Sequence, residues 1–543
     1  MRPMTTPLPP APLPAPAATA TTPAATTPAA TTPATTAPPA AAATLAPGVP
    51  RDTSTLPASV THAATDGAVL FSPLVPAGLG IALLAVVGLW ATRVVRRRRR
   101  GAPPPPHRVL RSTAATLACL LLATLTVAAA VNVYAGYLPT VASAWRFAIR
   151  DTTAHVTDDG TTAQALRRSG TAPRAVAAHD THWQVHEAQV GGSALGFGSR
   201  PVVVATPPGY QSSNAPYPVV YLFGGYPGEV NDWFQTGQVT KTVDALVAQG
   251  LMPFPVLVEP DINGNTFTDS EGLDAVGGPQ VETWFTRDVV RYVDSTFRTV
   301  PDRGHRVLAG MSSGGFIALN YALRHQDDFG IALGLEPYGD PGNVTGRLLG
   351  GDSRLLHQNS PQFYAPTVAL HRQLSLYLDV GAATKDVARV ESLARIFHER
   401  RLDVVIRPEP GEGHTWSEAT AGMPYALAFA ASRLGSAALA ETFPESDFPR
   451  THRDRFSLLP EDDAQLQREN RIRCRYGGLG CPVPQPAGSV VRGPFLSPTR
   501  SSGQPVTDVG SATVAGRRLA GREAPPRHRR PLAQSADGGT RVP

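Results

Sequence analysis

The pentapeptide Gly310-Met311-Ser312-Ser313-Gly314 sets a serine between small residues, the arrangement that lets a strand turn sharply into a helix with its central side chain exposed. The apolar run Val307-Leu308-Ala309 before it and the stretch Phe316 to His325 after it predict that strand and that helix. Ser312, at the centre, is the candidate nucleophile for attack on an acyl carbon. Ser313 contributes the N–H that follows, at a helix N-terminus where backbone donors and the dipole favour developing negative charge.

A serine hydroxyl is too basic to ionise unaided, so an imidazole must take its proton and a carboxylate must hold that imidazole in the right tautomer. For a turn of this kind the chain order is serine, acid, histidine. His414 lies in the Gly-rich loop Gly411-Glu412-Gly413-His414-Thr415-Trp416, downstream of the β-rich run Val404-Val405-Ile406, and is the candidate base. His305, His325, His357, His371 and His398 lack that placement and read as surface or packing histidines, with His398 kept as the alternative base. Two carboxylates compete for the acid in the loop after the buried run Leu374 to Leu378: Asp386 is preferred over Asp379, although Asp386 also reads as a plain helix N-cap before Val387. The second oxyanion donor is expected after the early strand Val219 to Phe223, in Gly224-Gly225-Tyr226-Pro227-Gly228, with Tyr226 N–H as donor and Gly225 allowing close approach. Trp233, Trp284 and Trp416 line a cleft or, by default, fill the core.

The elements that must position these groups follow from periodicity. Short runs such as Val202-Val203-Val204, Val219 to Leu222, Val256-Leu257-Val258 and Leu376-Tyr377-Leu378 alternate with helical patterns such as Val387, Val390, Leu393, Ile396 and Phe397. The fold class is therefore α/β, with a mostly parallel sheet covered on both faces, over residues 182–436.

The motifs in this order resemble the esterase family that holds esterase D (S-formylglutathione hydrolase), enterochelin and feruloyl esterases and the secreted mycobacterial mycolyltransferases. The residues that carry the likeness are Pro208-Gly209-Tyr210, Tyr217 to Leu222 with Gly225, Gly310 to Gly315, and Gly413-His414-Thr415-Trp416. The resemblance implies the α/β-hydrolase fold and acyl transfer through a Ser312 acyl-enzyme. Water as acceptor makes an esterase; a sugar or lipid hydroxyl makes an acyltransferase. Two departures stand out. Family members usually show His-Gly or Asp-Gly at Gly224-Gly225, and commonly Gly-Thr-x-Asp where this chain has Ala383-Thr384-Lys385-Asp386.

Two charge-free apolar runs precede this domain, giving expected membrane spans at 67–92 and 113–138. The connection 93–112 carries Arg93, Arg96 to Arg100, Arg108 and Arg111, which puts it in the cytoplasm and both flanks outside. Those eight arginines exceed the net charge of +6, so the rest of the chain is net negative and a general nucleic-acid surface is not expected. Residues 1–66, rich in Pro, Ala and Thr, are expected to be disordered, as a glycosylated stalk or an inert linker; 139–181 is a linker and 437–543 a largely disordered basic tail. Cys474 and Cys481 form a disulfide or stay as thiols, and Cys119 lies in the second span. No metal-ligand spacing or nucleotide loop is present, so no cofactor is expected. The expected protein is a membrane-anchored serine esterase or acyltransferase acting on ester or acyl-lipid and glycolipid substrates outside the membrane. Its rival is a catalytically silent envelope-binding protein on the same fold.

Overall fold

The computed structural model describes residues 48–101, 107–149, 180–192, 195–264, 268–342 and 348–451. The expectations for residues 1–47, for most of the 139–181 linker, for the Cys474 and Cys481 pair and for the tail beyond 451 lie outside the described residues.

Eight strands form one sheet in the order β1-β2-β4-β3-β5-β6-β7-β8. They are β1 (Gln184–Val190), β2 (Arg200–Thr206), β3 (Val219–Phe223), β4 (Val256–Pro260), β5 (Arg306–Met311), β6 (Ile331–Leu335), β7 (Ser375–Gly381) and β8 (Asp403–Glu409). Only β2 runs antiparallel to its neighbours; from β4 across to β8 every pairing is parallel. Strands β3 to β7 are buried at every position, and because side chains alternate between faces, both faces must be covered. This is the α/β-hydrolase architecture, and its β6 strand is one the β-rich runs above did not include.

Eight helices matter here: α1 (Ala58–Thr61), α2 (Leu74–Arg99), α3 (Arg108–Ala135), α4 (Val141–Ile149), α5 (Val239–Ala248), α6 (Ser313–Arg324), α7 (Val387–Glu399) and α8 (Trp416–Ala431). Helix α6 packs on β3, β5 and β6, and α8 on β6 to β8, so the helices that follow Ser312 and His414 sit directly on the central strands. Thr415 caps α8 by accepting the Glu418 N–H at 3.4 Å, the first half of a Thr-x-x-Glu capping box that ends the His414 loop.

Helices α2 and α3 have a mean hydropathy of 2.2 over their most apolar windows, none of it buried inside the protein, and both are long enough to cross a bilayer. At 1.5 Å per residue, 26 and 28 residues reach roughly 40 Å against a hydrocarbon core of ~30 Å. Both lie several residues from the expected limits, because the helices run on through Arg96 to Arg99 at one end and begin at Arg108 at the other. Their ends away from the arginine-bearing connection are knitted together. The Asn132 side chain donates to the carbonyls of Leu70 and Leu138 and accepts from the Leu138 N–H.

The expectation of disorder up to residue 66 is corrected over 48–66. This segment adds to the open edge of the sheet: Asp52 N–H donates to Ile406 O, and Ile406 N–H donates to Pro50 O, both at 3.0 Å. Asp52 accepts the buried Tyr377 hydroxyl at 2.8 Å, Val60 of α1 is fully buried, and Lys241 of α5 donates to Asp66 O. An unpaired edge and a buried phenol are what this polar stretch satisfies. At the other end the fold continues past 436, where Leu439 and Phe448 are buried. Asp52→Ala is expected to lower stability by about 1–2 kcal/mol, seen as a lower thermal midpoint of the detergent-solubilised chain, because it strands the Tyr377 hydroxyl; an unchanged midpoint contradicts the strap.

Candidate active site

The parallel register lines up the site. Met311 pairs with Leu335 and Leu335 with Asp379, so the residues that follow β5 and β6, Ser312 and Glu336, emerge side by side at the carboxyl edge of the sheet. Ser312 N–H donates to Leu335 O at 2.9 Å, and Glu336 N–H donates to Asp379 O at 2.9 Å. Ser312 has φ 57° and ψ −116°, a strained conformation for a residue with a Cβ. Glycine is required around it: a Cβ on Gly310 would collide with Gly314 backbone, and one on Gly314 with the carbonyls of Phe223 and Gly224.

His414, five residues beyond the end of β8, brings Nε2 to 2.9 Å from Ser312 Oγ. Its Nδ1 lies 3.3 Å from Glu336 Oε2, within ion-pair distance but longer than a tight hydrogen bond. Glu336 is wholly buried at the side chain whereas His414 is 38% exposed, so the imidazole faces the surface with the carboxylate beneath it. The other carboxylate oxygen, Oε1, accepts the Gly381 N–H at 2.7 Å. With Nδ1 protonated towards Glu336, Nε2 is left to accept the Ser312 hydroxyl proton. Burial alone would lower the His414 pKa; hydrogen bonding to Glu336 and its charge, with a smaller part from Asp386, outweigh burial and raise it above the ordinary imidazole value.

The preferred acid is therefore corrected in position. Among the described residues, Glu336 is the carboxylate within ion-pair reach of His414. Asp386 sits at the N-cap position of α7 but its side chain makes no capping hydrogen bond; it ion-pairs with Arg389 at 3.0 Å and acts on His414 only through its charge. Asp379 is fully buried beneath the site; burial raises its pKa to about 7, next to the equally buried Glu418, whose pKa burial also raises. A neutral, shared proton suits that pair, and neither carboxylate faces the imidazole. Glu336 was legible in principle, since Ile331 to Leu335 is an apolar run that ends on an acid between Ser312 and His414.

A Cβ on Gly225 would lie 3.5 Å from Ser312 Cβ, so the loop Gly224 to Gly228 that carries Tyr226 lies against Ser312. Trp233 and Trp284 are fully buried and Trp416 nearly so, which places them in the core; Trp233 and Trp416 meet edge to face at 5.0 Å below the His414 loop. His305, His325 and His371 are engaged by Asp302, Glu282 and Asp327 away from the site.

Residues 196–424 match the family described as Putative esterase. An esterase of Mycobacterium tuberculosis is 31% identical over 141 residues, 26% of this chain and 29% of that protein. An uncharacterized protein of Corynebacterium glutamicum is 26% identical over 176 residues, 31% of this chain and 41% of that protein. The matches thus span less than half of either relative. Among solved structures, a ferulic acid esterase shares 23% identity over 47% of this chain and 99% of its own, with a TM-score of 0.43. An S-formylglutathione hydrolase from Agrobacterium tumefaciens shares 18% over 47% of this chain and 95% of its own, with a TM-score of 0.39.

In an NMR titration of the detergent-solubilised protein, Glu336→Gln is expected to bring the His414 pKa down, and Asp386→Asn to move it less in the same direction. The reverse ranking would return the orienting role to Asp386.

Proposed function

We propose that this chain, whose residues 196–424 match the esterase family on an α/β-hydrolase fold, is a membrane-anchored serine esterase working through a Ser312 acyl-enzyme. The observation that carries the proposal is the alignment of Ser312 Oγ, the His414 ring and Glu336, at 2.9 Å and 3.3 Å, on an elbow strained at the serine.

His414 Nε2 takes the Ser312 hydroxyl proton as Oγ bonds to the ester carbonyl carbon, and Glu336 stabilises the imidazolium that forms. The carbonyl electrons move onto oxygen, where Tyr226 N–H and Ser313 N–H receive the negative charge. The imidazolium returns its proton to the departing alcohol, leaving the acyl group on Ser312. Water then enters by the same route in reverse roles, with His414 removing its proton, and releases the acid. A hydroxyl of a sugar or lipid in place of water would make the same site a transferase. The raised His414 pKa has a consequence for pH: the base works only when neutral, so activity should rise with pH through a value above the usual imidazole range.

Helices α2 and α3 serve as the anchor in this proposal. The arginines between them favour a cytoplasmic connection, and the α/β domain, which touches both outer ends of the pair, then lies outside. Cell-envelope lipids or glycolipids are the ester substrates within reach of such a domain.

A membrane-impermeant fluorophosphonate added to intact cells is expected to label the wild-type chain and to leave Ser312→Ala unlabelled. Labelling only after lysis would put the domain on the cytoplasmic side; no labelling in either state would contradict the esterase proposal.

A further inference from the structure

Helix α4, Val-Ala-Ser-Ala-Trp-Arg-Phe-Ala-Ile, carries a single charge and leaves its large apolar residues uncovered. Val141, Trp145 and Ile149, four residues apart and so on one stripe, are 65%, 66% and 53% exposed. A short helix that shows this much apolar surface to water is unfavourable unless something covers it. Its place in the chain limits what that is. Five residues, Gly136 to Thr140, separate it from the end of α3, so it lies within roughly 20 Å of where that span would leave the hydrocarbon. Trp and Phe on such a helix match the composition of a bilayer surface layer.

The same corner holds the catalytic loops. Tyr137, in the link between α3 and α4, meets Phe147 of α4 at 5.9 Å and Trp416, two residues past His414, at 6.4 Å. Its hydroxyl donates to Asp232 at 2.9 Å, and Asp232 in turn accepts the Glu229 N–H at 3.0 Å, just beyond the Tyr226 turn. Asp232 is buried, and burial lifts its pKa to about 7, while its hydrogen bonds to the Glu229 N–H and the Tyr137 hydroxyl work the other way. At the end of α3, the Tyr134 hydroxyl lies against Gly413, the residue before His414; a Cβ there would be 3.4 Å away. The base loop and the oxyanion loop are thus both fastened to the outer end of the second span.

From this juxtaposition we infer that α4 lies in the bilayer surface through Val141, Trp145 and Ile149 and holds the Ser312 cleft at that level, so that its ester is drawn from the membrane rather than from solution. The inference rests on the membrane anchor proposed above and names the substrate's phase, an ester with an apolar chain seated in lipid.

The test uses the full chain reconstituted in phosphatidylcholine and phosphatidylglycerol vesicles. Tryptophan quenching by a lipid brominated near its headgroup is expected to fall when Trp145→Phe removes the α4 indole. Quenching that is unchanged in Trp145→Phe overturns the inference. In a second arm, Trp145→Ser with Ile149→Ser, both exposed positions that spare the core, is expected to cut kcat/KM on a long-chain ester carried in the vesicles about tenfold while p-nitrophenyl acetate hydrolysis stays within about twofold. Equal losses on both esters, or none on either, would count against it. Wild-type protein that hydrolyses neither ester would refute the esterase proposal, and the quenching arm would still decide the place of α4.

Discussion

An imidazole that is to accept a proton from Ser312 must present the right nitrogen and must gain, not lose, from becoming charged. Burial works against both, and in this fold the cost is met by one buried carboxylate, Glu336, held behind His414. Much of the surrounding structure serves to keep that carboxylate aimed. Its backbone N–H is tied to β7, its far oxygen is held by Gly381 N–H, and Gly381 has no Cβ because one would meet both the Glu412 carbonyl and the Glu336 carboxylate. The elbow is bound to β6, the strand that Glu336 directly follows, through Ser312 N–H and Leu335 O, so Ser312 and Glu336 share one rigid support.

Beneath the site lies a second acidic layer with the opposite character. Asp379 and Glu418 are both fully buried, and burial pushes their pKa values up, so they persist as neutral or proton-sharing groups. Glu336 has the imidazole and an N–H as partners; Asp379 has another carboxyl. That contrast explains why two acids on adjacent strand ends have different fates. It also explains why proximity to the expected strand did not identify the acid.

The placement of Ser312, of His414 and of the early Gly-rich loop was legible because each rests on a local pattern: glycines forced by close backbone approach, a strand before and a helix after. The acid was not, because its identity depends on register between β5, β6 and β7, a long-range property that spacing does not encode. The strand β6 contains Ala332 and Gly334, which make its β pattern weaker than that of the run before Asp379. Both apolar helices were legible by length and composition, with limits displaced by helical arginine ends. Residues 48–66 were read as disordered because their polar composition gives no hint that they complete a sheet edge and cover a buried tyrosine.

Among the described residues, Tyr134 and Tyr137 at the end of α3 touch the His414 loop and Asp232 of the α/β domain. The proposed chemistry of this site turns on Glu336 acting through His414. The most direct measurement is the pH dependence of kcat/KM for a short p-nitrophenyl ester in Glu336→Gln, Asp379→Asn and Asp386→Asn. Glu336→Gln should lose about 10³- to 10⁴-fold and shift its acid limb to lower pH, while Asp386→Asn stays within roughly fivefold. Full activity in Glu336→Gln, with the loss appearing instead in Asp386→Asn or Asp379→Asn, would contradict this assignment.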